Sequence, residues 1–238
     1  MSPLAFAVLA ALGNLLGALV VVRHARRGMR VIELFVAFGA GFMASAVILG
    51  MLPEAFARDH APIFVLAGFL AVHLAQHVLT PHFHFGEETH RVSASAGISA
   101  LLGLSLHTFF DGVAIASGFL VSPELGVLVF LAVFLHKLPE GVTIASVMLA
   151  GGQGRRVALG SAAALGMATV AGVLLTGVAA PLAAHGLALS AGVTLYVAAS
   201  NLVPEFQAKR GLATAVSFFG GAAAFVITRM LLSGVLPE

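Results

Sequence analysis

His107-Thr-Phe-Phe-Asp111-Gly112 and His136-Lys-Leu-Pro-Glu140-Gly141 stand at the centres of two long apolar runs, Leu101 to Phe119 and Gly126 to Ala150. In each, an imidazole and a carboxylate are four residues apart, a spacing that puts both on one face of a helix. An ionisable group at mid-membrane depth costs roughly 2.5 kcal/mol or more unless it is paired, coordinated or water-lined. Two such pairs on neighbouring spans therefore point to a metal site, and the rest of the chain reads as its support.

The composition agrees with a membrane setting. Of 238 residues, 60% are hydrophobic and 9% charged, with a mean hydropathy of +1.06, whereas a soluble domain carries about 25% charged residues. Breaking the apolar runs at charges, His clusters and Gly/Pro punctuation predicts eight transmembrane helices at roughly 3–22, 31–53, 62–80, 95–120, 126–150, 157–178, 184–206 and 212–235. The expected fold is all-α, a polytopic membrane helix bundle, because lipid tolerates no unpaired backbone. One membrane domain, 1–238, accounts for the length. Pro3 to Val22 lacks a basic stretch before it and reads as a retained first span.

Nine basic residues (Arg23, Arg26, Arg27, Arg30, Arg91, Arg155, Arg156, Lys209 and Arg210) fall in the loops after spans one, three, five and seven, against Arg58 alone in the others. By the positive-inside rule both termini lie outside. Lys137 and Arg229 remain inside spans. The pI near 9.7 reflects these loop charges and not nucleic-acid binding, and the expected partners are divalent metal ions, the lipid bilayer and a second copy of the chain through small-residue faces. Cysteine is absent, which excludes thiolate metal sites and Cys nucleophiles.

Leu52-Pro53-Glu54 near the end of span two is echoed by Val203-Pro204-Glu205 near the end of span seven. With the two His/carboxylate spans between them, this outlines a 3+2+3 inverted-repeat arrangement with the site at the repeat interface. Two antiparallel neighbours bring His107, Asp111, His136 and Glu140 to similar depth, enough for a divalent site. N/O ligation favours Zn²⁺, with Fe²⁺, Mn²⁺, Co²⁺ and Cd²⁺ also accommodated; no organic cofactor is implied. Pro139 has no N–H for the carbonyl of Leu135, which is freed one residue before His136.

The two central motifs resemble the fourth- and fifth-span signatures of the ZIP family of divalent-metal transporters. The resemblance extends to Met51-Leu-Pro-Glu54-Ala55, to Tyr196-Val-Ala-Ala-Ser200-Asn201-Leu-Val-Pro204-Glu205, to the eight spans and to a His-bearing loop at about 81–93. It implies metal uptake into the cytoplasm across a plasma membrane, or an inner membrane in a bacterium, by a transport unit moving against a scaffold of the remaining helices. It also implies that His107, Asp111, His136 and Glu140 are the transport-site ligands. Further candidates for the path are Met43, Thr108, Lys137, Ser200, Asn201, Glu54 and Glu205.

The departures concern a second metal position, which many members build from an Asn after the first His, an acidic residue after the second and a Glu on span six. Here those places hold Thr108, Lys137 and no acidic residue from Val157 to Val178. Two readings of Lys137 stand: an ammonium in place of the second cation, or a side chain turned away into a water-filled path. His73, His77, His82, His84 and His90 form either a metal-receiving loop or a solvated one dispensable for transport. The competing functions are an intramembrane zinc hydrolase, against which the missing His-Glu-x-x-His pattern argues, and a metal channel or sensor of the same fold.

Overall fold

The computed structural model describes residues 2–23, 29–75, 94–202 and 211–233. Helix α1 spans Pro3–Arg23, α2 Met29–Ser45, α3 Leu52–Phe56, α4 Ala61–Leu74, α5 Ala94–Val121, α6 Pro123–Ala150, α7 Arg155–Val178, α8 Ala180–Tyr196 and α9 Leu212–Ser233; no strand occurs among the described residues. Seven helical segments there are long and apolar enough to cross a membrane, and Ala61–Leu74 is a shorter apolar helix. The protein is an integral membrane helix bundle. The loop expected at 81–93 lies outside the described residues.

Helix starts follow local chemistry. The central span begins at Pro123, three residues before the expected 126, because Ser122 is extended and its Oγ accepts from Leu125 N at 3.1 Å. Pro123 then takes a first-turn position that needs no N–H, with Glu124 beside it. Only Ser122 separates α5 from α6 and only Ala179 separates α7 from α8. Such short connections leave no option but antiparallel neighbours.

Span two is not a uniform helix. A π-helical turn, Ala46–Met51, joins α2 to α3, and Leu52 N donates to Val47 O in the five-residue pattern. A second π turn, Val197–Leu202, continues α8, displaced by the same 151 residues that separate Pro53 from Pro204. Pro53 has no N–H for the carbonyl four residues back, that of Leu49. The Arg229 guanidinium, on α9, donates to that carbonyl, which accounts for an arginine inside an apolar helix.

Glycine contacts between helices recur in matching pairs. A Cβ on Gly17 would overlap the Leu138 carbonyl, and one on Gly141 would overlap that of Asn14, so α1 and α6 clasp each other by reciprocal glycine–backbone contacts. The α5–α7 pair is clasped in the same way, Gly172 against Phe109 O and Gly112 against Thr169 O. Two more clasps join α2 to α9 (Gly41, Gly221) and α4 to α8 (Gly68, Gly192). The main remaining contacts within these groups are α1 with α7 and α5 with α6. The bundle thus has one group, α1, α5, α6 and α7, lying against a second, α2, α4, α8 and α9. Between the groups run α5 against α8 and α6 against α2.

Candidate metal centre

The central helices put their polar residues in register. His107 and Asp111 on α5, and His136 and Glu140 on α6, are all buried, and one ligand atom from each lies within 4.8 Å of the others. Tetrahedral ligands about 2.0–2.2 Å from Zn²⁺ stand roughly 3.3–3.6 Å apart, a somewhat tighter set than this one. Asp111 Oδ2 is the focus: His136 Nε2 lies 3.2 Å from it and His107 Nε2 3.4 Å. His136 Nε2 also lies 4.0 Å from Glu140 Oε2.

The donor and acceptor roles follow from a backbone contact. His136 Nδ1 lies 2.9 Å from the Ala132 carbonyl, which can only accept, so Nδ1 carries the proton. When Nε2 is unprotonated, its lone pair faces Asp111 Oδ2, acceptor against acceptor. That arrangement calls for a cation, and a ligating imidazole held by a carbonyl through its other nitrogen is the usual metal-binding form. His107 Nδ1 and Asp111 Oδ1 are buried without a hydrogen-bond partner.

The cation present is Lys137. Its Nζ donates to Asp111 Oδ2 at 2.6 Å and to Glu140 Oε2 at 2.7 Å, with the side chain fully buried. Of the two readings from sequence, the ammonium bridging the carboxylates is the observed one. Thr108 donates its hydroxyl to the remaining oxygen of that carboxylate, Glu140 Oε1, and its place on α5 is the counterpart of Lys137 on α6, each following its histidine.

Comparison with known proteins supplies the lineage. The family model described as ZIP zinc transporter matches residues 84–229, more than half of the chain. The chain belongs to the ZIP zinc transporter family. No curated protein matches it. Members of the ZIP family are divalent-metal transporters and not enzymes, and the buried His/Asp/Glu cluster is compatible with that activity.

Other residues singled out in the sequence lie elsewhere in this ZIP bundle. Met43 is buried in an apolar cluster with Val72, Val193, Tyr196 and Val197, between α2, α4 and α8. His73 is exposed, with its ring 5.7 Å from that of Tyr196. Glu54 is exposed in the first turn of α3. Ser200 is exposed in the second π turn, which also contains Asn201. His77, His82, His84, His90 and Glu205 lie outside the described residues.

Sequence reasoning passed over Asn14. It is buried on α1, its amide has no hydrogen-bond partner, and its backbone meets Gly141, the residue after Glu140. A lone amide in the otherwise apolar run from Pro3 to Val22 was the available signal, since such residues within a span face the protein interior. Thr169 on α7 holds the matching place beside Gly112, again with an unpartnered hydroxyl.

Proposed function

We propose that this protein imports a divalent metal, Zn²⁺ foremost, into the cytoplasm across the plasma membrane or, in a bacterium, the inner membrane. His107, Asp111, His136 and Glu140 form the transport site, and the chain crosses eight times with both termini outside. The observation that carries this reading is the convergence of those four side chains, buried, within 4.8 Å of one another on two adjacent helices. Neutral nitrogens and carboxylates suit Zn²⁺ and its neighbours in the first transition series.

Alternating access is supported by the division of the bundle. Helices α1, α5, α6 and α7 are joined by glycine clasps and carry all four ligands, while α2, α4, α8 and α9 form the complementary group. The first group is the moving unit and the second the scaffold. Adjacent spans alternate in direction, so repeats five spans apart run oppositely, the inverted repeat of many secondary transporters. Lys137 stands in for a second cation, and the site takes one metal ion per chain.

The test is Zn²⁺ uptake into proteoliposomes. Saturable uptake by the wild type and its loss in His136→Ala and Glu140→Ala, with both variants still inserted, is the expected result; full uptake in both variants overturns the site. Metal counting on the purified protein gives one ion per wild-type chain and a second in Lys137→Asp. Bound metal with no flux moves the weight to a sensor or hydrolase.

A further inference from the structure

The transport site contains its own counter-ion. Lys137 bonds Asp111 Oδ2 and Glu140 Oε2 at 2.6 and 2.7 Å, and both carboxylates are buried beside it. We propose that Lys137 is the residue that lets the empty carrier return, so that the protein performs net uptake and not chiefly metal-for-metal exchange. The inference rests on the alternating-access reading above.

The argument is one of charge. With both imidazoles neutral, the form that binds metal, the empty site holds two carboxylates and one ammonium, a single net negative charge. A divalent ion turns this into a single net positive charge. The loaded and empty sites therefore carry equal and opposite unit charges through the apolar region. Without the ammonium the loaded site would be neutral and the empty one doubly negative. Desolvation of an ion grows with the square of its charge, so the empty return would become the slow limb.

Geometry supports the part assigned to Lys137. The ammonium sits on Asp111 Oδ2, the same atom on which the two histidine nitrogens converge at 3.2 and 3.4 Å, so metal and ammonium compete for one oxygen. Glu140 is reached from its own helix one turn away, which keeps Lys137 within reach of a carboxylate after metal enters. Gly13 on α1 lies against the lysine stem, a Cβ there standing 3.1 Å from Lys137 Cβ. The stem is held there while the ammonium bridges the two carboxylates.

The experiment compares labelled Zn²⁺ uptake into proteoliposomes that are either empty of metal or preloaded with unlabelled Zn²⁺, with the membrane potential clamped at zero by potassium and valinomycin. For the wild type, the preloaded-to-empty ratio of initial rates is expected below about 2, because an empty site with a paired ammonium returns readily. In Lys137→Met the ratio is expected to exceed about 10, and Lys137→Arg, which keeps the charge, brings it back below about 3. A merely structural lysine would lower both rates together and leave the ratio unchanged. An unchanged ratio in Lys137→Met overturns the inference alone, and so does a wild-type ratio near 10, which decides the matter if Lys137→Met does not insert. A wild type with no saturable uptake in either vesicle overturns the transport reading and this inference with it.

Discussion

Thr108 donates its hydroxyl hydrogen to Glu140 Oε1, joining α5 to α6 across the centre of the bundle. Lys137 occupies the other oxygen of the same carboxylate, so Glu140 is held from both sides. A hydrogen bond to a charged acceptor contributes about 1.5–3 kcal/mol. Thr108→Val is expected to raise the KM for Zn²⁺ uptake by roughly tenfold or more, and Thr108→Ser to stay within about twofold. Equal KM values in the Val variant and the wild type would show that the contact does not position the ligand.

The glycine clasps make a second prediction, read from thermal stability in detergent. A methyl group at Gly17 overlaps the Leu138 carbonyl, so Gly17→Ala forces α1 away from α6, whereas Gly160 on α7 has nothing within 4 Å of its added Cβ. Overpacking against backbone costs about 1–3 kcal/mol, which lowers Tm by several degrees. Gly160→Ala is expected to leave Tm unchanged or raise it, since alanine in a helix gains about 0.5–1 kcal/mol over glycine. The opposite ranking of the two variants would refute the clasp.

A third prediction concerns Arg229 and Pro53. The guanidinium serves the Leu49 carbonyl that Pro53 leaves without its usual donor. Arg229→Leu should destabilise by about 1–3 kcal/mol in the wild-type background and by less in Pro53→Ala, where a backbone N–H is restored. The double-mutant cycle measures this directly, with a coupling of about 0.5–1.5 kcal/mol expected. Strict additivity would show that Arg229 and Pro53 act independently.

The class of fold and the residues of the candidate metal cluster were both legible along the chain, because each depends on neighbours in sequence. Apolar length, the spacing of four between imidazole and carboxylate, and the expense of charge in lipid need no tertiary information. The repeated Pro-Glu was legible as an echo, but the π turns at Ala46–Met51 and Val197–Leu202 have no sequence signature of their own. The start of α6 was misplaced by three residues because Ser122-Pro123-Glu124, a helix cap, reads equally well as a loop.

Distance across the bundle was another matter. Whether Lys137 turns toward Asp111 or toward water depends on where α5 sits relative to α6, and these residues are 26 positions apart. Arg229 finds Leu49 across 180 positions, and Met43, expected along the path from sequence, is buried in an apolar cluster. In each case the local pattern is compatible with two environments of different free energy. Helix packing, set by glycines that admit a neighbour's carbonyl, selects between them by fixing which charges can meet.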